Sequence, residues 1–581
     1  MLLTKIDTMV EIIGKKKTAR FEELGKELKM DPGAIERIAR ILESAHLVDI
    51  NYPLNPFSKP TVVLVKAKEQ EEELTLSGKK VETYPINDSS GGKIAEVEIL
   101  FSQEEKRNVY FVHLPRLSSW TRAFLDFIKS ETTKNLPLLG VERTQEEVHR
   151  EMNERAAAVR RLISAELTID SDALRVLTKI AMDEMYGLGE LETLISDPML
   201  EEIILNSAKN PVSVYHRVYG WMKTNIFLKS EEEVENYSSQ IARKVGRQIT
   251  NLTPILDAHL VTGDRANATL YPISTSGNSL TLRLFAREPW SIVKFASDEV
   301  HSMSVDMAAM LWQAVHYEMN VIVAGGTASG KTSALNSLVS LIPPYQRVVT
   351  IEDTRELVLP TYQWNWIPLA TRAPNPEGLG EISMLDLVVN SLRMRPDRIV
   401  MGEIRRKKEA EVLFEAMHTG HSVYGTIHAD TADQVIKRLV EPPIELPPTE
   451  VEDIHLLLVQ YRDRRKNIRR TLELAEVMPG AKVPEVNHVY KWRPRTDTFE
   501  SVRAPNRYVE QMNLHTGFTS KEVADDQHSK ATVLQWMTKN KFFRVDDVGR
   551  VMKTYYADEA GLVSAVEKGL KPERILGEVA K

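Results

Sequence analysis

The sequence predicts an α/β protein built on a parallel sheet, with additional domains before and after that core. Residues 291–480 alternate short apolar segments with amphipathic helical segments, which is the pattern of strand–helix units in a parallel sheet. Within this region the segment GGTASGKT, residues 325–332, follows an apolar strand and opens a helix. The chain has 581 residues, and at roughly 150 residues per domain this length predicts about four domains.

The composition is that of an ordinary globular protein and excludes several kinds of chemistry. The chain is 42% hydrophobic and 27% charged, fractions that exclude global disorder and fibrous repeats. It contains no cysteine, so disulfides, thiol nucleophiles, iron–sulfur clusters and cysteine-based zinc sites are excluded. The net charge of −7 disfavours a nucleic-acid coating role, which usually needs a basic face.

The sequence gives no sign of a membrane span or a secretion signal. No apolar run approaches the roughly 20 residues that a membrane-spanning helix needs. The N-terminus MLLTKIDTMVEIIGKKK lacks the features of a signal peptide. We therefore expect the chain to lie in the cytoplasm, where it can still dock on a membrane-bound partner.

Residues 1–52 are predicted to form a winged-helix-like domain. Asp31-Pro32 is a typical helix start, and apolar residues repeat at helical spacing from Ile35 to Leu42. The first fifty residues contain nine Lys plus Arg and nine Asp plus Glu, which cancel. Because a winged helix that binds DNA should be basic, the pattern favours protein docking over DNA binding, with a purely structural cap as a third interpretation.

The regions between this domain and the core, and after the core, have simpler patterns. Residues 53–172 begin with strand-like segments such as TVVLVKA and AEVEILF and continue as charged helices. Residues 173–288 place helices before strand-like segments, and the stretch REPW, 287–290, is predicted to be a linker. Residues 481–581 are predicted to be a helical region that begins with a hairpin-like segment. One apolar helix face there, which we expect to be core, comprises Val548, Val551, Met552 and Tyr555.

The segment 325–332 fits the phosphate-binding pattern G-x-x-x-x-G-K-[ST] completely. Glycines let successive backbone N–H groups point at a β-phosphate, and the following helix N-terminus favours the same negative charge. Lys331 is predicted to reach the β- and γ-phosphates, and the Thr332 hydroxyl to hold Mg²⁺. A glycine-rich turn without nucleotide is disfavoured by the flanking strand NVIVA and helix TSALNSLVSLI. The residues predicted to bind the nucleotide are Gly325, Gly326, Thr327, Ala328, Ser329, Gly330, Lys331, Thr332 and Ser333.

Two acidic strand ends follow this loop in the sequence. RVVTIEDTREL presents Glu352 and Asp353, with Glu356 close behind, and RIVMGEIR presents Glu403. A carboxylate at a strand end beside a phosphate-binding loop can orient the attacking water or hold Mg²⁺ through water. Each acid alone could be a solvated strand end. Their order after the loop favours catalysis by Glu352 and Glu403, and Glu403 is also predicted to hold Mg²⁺ through water.

Histidines and arginines supply further candidates. TGHSVYGTIHAD places His421 and His428 around a strand-like segment, and either could contact a γ-phosphate or be a hydrogen-bonded structural residue. A metal pair is disfavoured because no third ligand lies at matching spacing. None of the arginines is an obvious finger from the same subunit, so the pattern predicts a ring in which a neighbouring copy supplies one. The arginines that could stabilise a transferring phosphoryl group are Arg265, Arg283, Arg393, Arg395 and Arg405.

Four ordered segments, GGTASGKT, TIEDTRE, RPDRIVMGEIR and TGHSVYGTIHADTA, resemble the motifs of a known family. They resemble the Walker A, Asp-box, Walker B and His-box series of the type II/IV secretion, or type IV filament, ATPases. The resemblance extends from Leu174 to Arg470. EEIILNSAKNPVSVYHRVYGWMKTN and LTLRLF are most similar to the archaeal branch, which includes archaellum and archaeal pilus assembly motors. Bacterial secretion members often carry a four-cysteine zinc insertion, which this cysteine-free chain cannot have.

The resemblance implies a fold and a set of site residues. It implies a RecA-like P-loop ATPase core at 291–480, preceded by a PAS-like domain at 173–288, with ATP and Mg²⁺ bound between them. The matching residues are Glu352 as the family's catalytic glutamate, Glu403 as the Walker B glutamate, His428 as the His-box residue, and Arg265 and Arg283 as arginines that reach the nucleotide.

The resemblance also implies a function. It implies a cytoplasmic homo-hexamer at the inner face of the cell membrane, associated with the membrane through a polytopic platform protein. ATP hydrolysis would power assembly of a type IV pilus-like filament or a type II secretion-like pseudopilus, and no direct contact with nucleic acid is expected. The alternatives are a conjugation-type DNA transfer ATPase, an archaellum rotation or assembly motor, and a nucleotide-regulated scaffold with little turnover.

Overall fold

The fold is mixed α/β, as predicted. The computed structural model describes residues 2–52, 59–65, 78–88, 91–135, 145–260, 262–285, 289–374 and 377–576. The chain divides into two compact units, residues 1–284 and 285–581. The predicted linker at 287–290 lies partly outside the described residues. None of the described helices has the length and apolar character that crossing a bilayer requires.

The first unit begins with three helices and a small sheet. The elements are α1 (Lys5–Lys16), β1 (Ala19–Arg20), α2 (Phe21–Leu28), α3 (Pro32–Ser44), β2 (Val48–Asn51) and β3 (Thr61–Leu64). The strands pair antiparallel in the order β1-β3-β2. The predicted start of α3 is confirmed, because the Asp31 carboxylate accepts a hydrogen bond from Ala34 N at 3.2 Å and Pro32 lies in the first turn. The winged-helix-like assignment stays a prediction.

Three strands and three long helices follow in the first unit. The elements are β4 (Lys79–Asn87), β5 (Lys93–Ser102), β6 (Arg107–His113), α4 (Ser119–Asn135), α5 (Gln145–Glu166) and α6 (Ser171–Tyr186). The strands form an antiparallel sheet. The helices share one apolar core with α1–α3, in which Ile35, Phe124, Ile163 and Leu177 are all buried. This core therefore spans the predicted boundary at residue 52.

An antiparallel six-stranded sheet completes the first unit. The elements are α7 (Leu191–Ile195), β7 (Leu200–Leu205), β8 (Ser213–His216), β9 (Gly220–Lys223), α8 (Glu231–Lys244), β10 (Ile255–His259), β11 (Arg265–Thr269) and β12 (Ser279–Arg283). The strand order is β10-β11-β12-β7-β8-β9. Tyr110 of β6 forms an isolated bridge with Thr224, which follows β9. This bridge joins the β4–β6 sheet to the segment after the six-stranded sheet's β9, and the PAS-like assignment of 173–288 stays a prediction.

The second unit is built on a parallel sheet, which confirms the predicted strand–helix pattern. The elements up to its sixth parallel strand are α9 (Ile292–Ala296), α10 (Val305–His316), β13 (Val321–Gly325), α11 (Lys331–Val339), β14 (Val348–Glu352), β15 (Trp366–Ala370), α12 (Met384–Ser391), a 3₁₀ turn (Leu392–Met394), β16 (Arg398–Met401), α13 (Lys407–His418), β17 (Ser422–Ile427), α14 (Ala432–Val440), α15 (Pro448–Val451) and β18 (Leu456–Asp463). The parallel strands lie in the order β15-β14-β16-β17-β13-β18.

Antiparallel strands extend this sheet, and helices close the chain. The elements are β19 (Ile468–Met478), β20 (Glu485–Arg493), β21 (Thr498–Ser501), α16 (Arg507–Thr516), α17 (Ser520–Lys539), α18 (Val545–Ala557), α19 (Glu559–Glu567) and α20 (Pro572–Leu576). Because β19 and β20 pair with each other, the sheet crosses the predicted boundary between residues 480 and 481. The range 481–581 is therefore helical only from residue 507 onward.

Alternate residues of the parallel strands enter two separate apolar cores. Val321 and Val323 of β13 are buried in one core, and Ile322 and Ala324 are buried in the other, as the period of two along a strand requires. The first core also contains the C-terminal helices. The predicted apolar face of Val548, Val551, Met552 and Tyr555 is confirmed, since all four are buried there.

Candidate functional site

The carboxyl ends of four neighbouring parallel strands bring the predicted site residues to one edge of the sheet. Strand β13 leads into the loop 325–330, and β14 ends at Glu352. Glu403 follows β16, and His428 follows β17. Because these strands are parallel and lie in the order β14-β16-β17-β13, their ends meet at the same edge, which is where α/β sheets bind ligands.

The loop between β13 and α11 has the backbone conformation that the sequence motif requires. Gly325 and Gly330 have φ values of +151° and +93°, which L side chains rarely adopt. A Cβ atom at Gly325 would lie 2.4 Å from the backbone oxygen of Gln460 on the neighbouring strand. Ala328 also has a positive φ, +59°. The predicted strand–loop–helix arrangement is confirmed, with Lys331 as the first residue of α11.

Lys331, His428 and Glu403 form a chain of contacts at this edge. Lys331 Nζ donates a hydrogen bond to the carbonyl oxygen of Gly326 at 3.0 Å and lies 3.4 Å from Nδ1 of His428. His428 Nε2 lies 3.4 Å from Oε1 of Glu403. Burial lowers the pKa of His428, and the Lys331 charge lowers it further. A neutral imidazole with its proton on Nε2 satisfies both contacts.

Glu352 is held differently, by backbone rather than by side chains. Its carboxyl is only 2% exposed, and its Oε1 accepts hydrogen bonds from Glu356 N at 2.9 Å and Leu357 N at 3.0 Å. Its Oε2 is buried without a hydrogen-bond partner among the described residues. Burial raises the pKa of this carboxyl to about 7. Gly402 leaves room for it, since a Cβ there would lie 3.3 Å from Cγ of Glu352.

Arg405 connects the two acidic strand ends. Its Nε and Nη2 donate to Oε2 of Glu403 at 2.8 and 2.6 Å, and its Nη1 donates to the Asp353 carboxylate. Glu403 therefore faces His428 with one oxygen and Arg405 with the other. The Arg405 guanidinium, predicted as a phosphate partner, serves two carboxylates in this structure.

A cleft of about 500 Å³ opens beside the loop and contains residues that the sequence analysis missed. Its lining includes Thr327, His428, Arg438, Gln460, Arg462 and Arg464. Arg469 Nε also donates to the carbonyl oxygen of Ala328, at 3.2 Å. The available signal was the basic run RDRRKNIRR at 462–470. Arginines of the same chain therefore lie at the loop, and an arginine finger from a neighbouring copy stays a prediction.

Three other residues that the sequence predicts for the site lie on other elements of the chain. Arg265 and Arg283 lie opposite each other on β11 and β12 of the first unit, and Arg265 donates to both oxygens of Asp257, at 2.9 and 2.7 Å. His421 lies between α13 and β17 with its Nδ1 3.1 Å from Thr419 Oγ1 and 3.2 Å from Ala416 O, which fits the structural interpretation.

Two further arginines and two residues of α11 are also predicted to bind the phosphates or Mg²⁺. Arg393 and Arg395 are exposed just before β16 begins, at the amino edge of the sheet and away from the loop. Thr332 is half-buried and Ser333 is exposed in the first turn of α11. Nothing in this arrangement measures the roles predicted for them, which stay predictions.

The residues present at this edge of the sheet fit a nucleoside triphosphate with Mg²⁺. The loop has positive φ values at Gly325 and Gly330 that favour glycine. The Lys331 ammonium lies against the loop, within hydrogen-bond distance of the Gly326 carbonyl. Glu352 contributes a buried carboxylate oxygen without a partner among the described residues. Thr332 and Glu403 supply the hard oxygen donors that Mg²⁺ prefers.

The chain is thus an α/β protein whose parallel sheet carries this loop, two glutamates and a histidine at its carboxyl edge. A family model described as "Type II/IV secretion system protein" matches residues 184–447. The uncharacterized protein MJ0900 of Methanocaldococcus jannaschii is 32% identical over 389 residues, covering 65% of this chain and 69% of that protein. The chain belongs to the type II/IV secretion ATPase superfamily.

Two other similar proteins illustrate the breadth of this superfamily. A putative conjugal transfer protein of Mycobacterium tuberculosis is 31% identical over 279 residues, covering 46% of this chain and 76% of that protein. The crystallised ATPase DotB of Legionella pneumophila is 18% identical over 66% of this chain and 92% of its own, with a TM-score of 0.36. At that score the superposition is loose, and no role is transferred from it.

Proposed function

We propose that the chain is an ATPase motor that hydrolyses Mg²⁺–ATP at the loop 325–332 and works as a homo-hexamer. Its hydrolysis powers assembly of a type IV pilus-like filament or a type II secretion-like pseudopilus, through a polytopic platform protein in the membrane. The protein acts in the cytoplasm at the inner face of that membrane. The observation that carries the proposal is the convergence of Lys331, His428 and Glu403 at one sheet edge.

Each residue has a role that its surroundings support. The backbone N–H groups of the loop and the α11 N-terminus bind the phosphates, and Lys331 leaves the Gly326 carbonyl to neutralise them. Thr332 holds Mg²⁺ directly and Glu403 holds it through water. Glu352 accepts a proton from the attacking water, because burial raises its pKa to about 7 and makes it a stronger base than an exposed glutamate.

His428 and the first-unit arginines complete the proposed machinery. His428 connects Lys331 to Glu403, so a change at the γ-phosphate reaches the Mg²⁺ site through one imidazole. Arg265 and Arg283 reach a nucleotide from their own or a neighbouring subunit. Until then, the two hydrogen bonds from Arg265 to Asp257 hold the Arg265 guanidinium in place.

Conjugation-type DNA transfer is the second candidate, favoured by the name of the Mycobacterium tuberculosis relative. The arginines of α3 are paired with glutamates, which disfavours DNA contact through this helix. Its Arg37 donates to Glu166 at 2.6 Å, and its Arg40 donates to Glu36 at 2.6 Å. The first fifty residues carry no net charge, so they lack the basic face that DNA binding needs.

Stimulation of ATP turnover separates these functions. We would measure phosphate release by the purified chain with Mg²⁺–ATP, adding vesicles that carry a polytopic platform protein from the same organism, empty vesicles or duplex DNA. We expect the platform vesicles alone to raise turnover. Stimulation by DNA and not by the platform would replace the filament function with DNA transfer. The Lys331→Ala variant, purified and assayed in parallel, measures the phosphate release due to contaminating ATPases, which is subtracted.

The oligomeric state is tested on its own. Mass measurement of the purified chain with Mg²⁺ and a non-hydrolysable ATP analogue should show six copies. A monomer at every micromolar concentration tested would contradict the ring while leaving the hydrolytic site untouched.

A further inference from the structure

The loop that follows Glu352 is attached at three points, and the last of them is a C-terminal helix. We call residues 353–362 the strap. Its first attachment is to Glu352 itself, whose Oε1 accepts hydrogen bonds from the backbone N–H groups of Glu356 and Leu357. The position of the strap therefore determines where this carboxylate lies.

The second attachment joins the strap to the phosphate-binding loop's own helix. Val358 N donates to Oδ1 of Asn336, at 2.7 Å. Asn336 lies on α11, five residues after Lys331, and is 1% exposed. The side chains of Leu357 and Leu359 anchor the same stretch in the apolar core. The strap thus couples the Glu352 carboxylate to the helix that begins at the phosphate site.

The third attachment is made by α18, almost two hundred residues further along the chain. Thr361 donates to Oδ1 of Asp546 twice, from its backbone N at 2.8 Å and from its hydroxyl at 3.0 Å. Gly549, one turn further along α18, packs so closely that a Cβ there would lie 2.4 Å from Cβ of Pro360. The Lys553 ammonium lies 4.9 Å from the ring centroid of Tyr362.

We infer that Asp546 and Gly549 of α18 are positioning residues for Glu352, acting through the strap. This inference rests on the proposed catalytic role of Glu352. Asp546 fixes Thr361, and Gly549 lets Pro360 approach, so the strap is held by contacts with both α11 and α18. The backbone N–H groups of residues 356 and 357 are then held where the carboxylate of Glu352 needs them. Helix α18 thereby acts on the hydrolytic site as a positioning element.

The test compares two neighbouring aspartates on one helix. Asp547 pairs with Arg550 on the same helix and makes no hydrogen bond or ion pair with the described residues of the strap, so Asp547→Ala is the matched control. We would measure kcat, KM and the stoichiometry and affinity of fluorescent ATP binding for Asp546→Ala, Asp546→Asn and Asp547→Ala in the full chain. Asp546→Asn keeps an oxygen that can accept both hydrogen bonds from Thr361.

A positioning role predicts a specific pattern. Asp546→Ala should lower kcat about tenfold, because small displacements of a catalytic group are costly, while binding stoichiometry and affinity stay unchanged. Asp546→Asn should restore most of kcat, and Asp547→Ala should match the wild type. Gly549→Ala, which pushes Pro360 directly, should lower kcat in the same way in the fraction that binds ATP.

Three outcomes would overturn the inference or its basis, and they can be told apart. If Asp546→Ala keeps the wild-type kcat, α18 does not position Glu352. If kcat and binding stoichiometry fall in proportion, the helix has a structural role only. If Glu352→Gln itself keeps full turnover, the proposed role of Glu352 is wrong. When Glu352→Gln loses turnover, adding Asp546→Ala to it should cause no further loss.

Discussion

The ammonium of Lys331 lies 3.4 Å from Nδ1 of His428, which directly follows β17, the strand next to β13 and the loop 325–330. The same ammonium donates to the Gly326 carbonyl, so it lies against the backbone of the loop. His428 in turn contacts Glu403. A cation, a neutral ring and a carboxylate therefore form one connected set, and a change at any of them reaches the other two.

Removal of the His428 ring should slow hydrolysis without preventing ATP binding. His428→Ala should lower kcat by about a hundredfold, within the range for loss of a proton-transfer or relay group, and should leave ATP affinity within about threefold. Phosphate release and fluorescent-nucleotide binding measure the two quantities. His421→Ala is the control, because among the described residues that ring has Thr419 and Ala416 as its hydrogen-bond partners. Equal effects of both substitutions would contradict the role of His428.

Glu403 should determine the Mg²⁺ requirement. Glu403→Gln keeps the shape of the side chain and removes its charge, so half-maximal turnover should need more Mg²⁺, by about tenfold, and maximal turnover should fall. A Mg²⁺ titration at saturating ATP checks this. Glu411→Gln on the exposed face of α13 should leave the titration unchanged. An unaltered Mg²⁺ curve for Glu403→Gln would show that this carboxylate does not hold the metal.

The buried carboxyl of Glu352 should make stability depend on pH. Its pKa is raised to about 7 in the folded chain from an ordinary value of 4.5. Between these values the folded state binds more protons than the unfolded state, so the free energy of unfolding falls as pH rises through this window. Glu352→Gln removes the buried charge and should therefore stabilise the protein at pH 8, by roughly 2 kcal/mol, and less at pH 5.

Thermal unfolding of the full chain, wild type and Glu352→Gln, at pH 5 and pH 8 measures this difference in stability. Glu415→Gln, an exposed position on α13, should shift neither melting temperature. A stabilisation by Glu352→Gln that is the same at pH 5 and pH 8 would mean that the Glu352 carboxyl has an ordinary pKa.

Substitution of two glycines with nearly the same φ distinguishes backbone strain from loss of nucleotide binding. Gly330 in the loop has φ +93°, and Gly420 before β17 has φ +90° with no heavy atom near its missing Cβ. Alanine at either position should destabilise the fold by about 1 kcal/mol, because an L residue there is strained. Only Gly330→Ala should weaken ATP binding, as measured with a fluorescent nucleotide. Equal loss of binding in both variants would indicate a general folding defect.

The parts of the site that follow a local pattern could be predicted from the sequence. The loop motif, its flanking strand and helix, and the order of Glu352, Glu403 and His428 after it are all visible along the chain. Because parallel strands of one sheet end at one edge, that order already implies that the side chains meet. The start of α3 at Asp31 is equally local, since a cap and a proline determine it.

Features that depend on distant pairing could not be predicted in the same way. The extension of the sheet by β19–β21 depends on antiparallel registers with bulges, which composition does not reveal. The contact of Asp546 with Thr361 joins segments 185 residues apart. Arg469 approaches Ala328 only because β19 follows β18 back along the sheet beside the loop. In each case tertiary packing, rather than local propensity, determines the neighbour.

Hydrolysis of ATP at the loop 325–332 underlies every role proposed for this chain. The most direct measurement is steady-state phosphate release from Mg²⁺–ATP by the purified full chain, wild type against Lys331→Ala, with Lys437→Ala on the exposed surface of α14 as the control. We predict turnover by the wild type and by Lys437→Ala, and loss of turnover to background in Lys331→Ala. Equal phosphate release by wild type and Lys331→Ala would contradict the account.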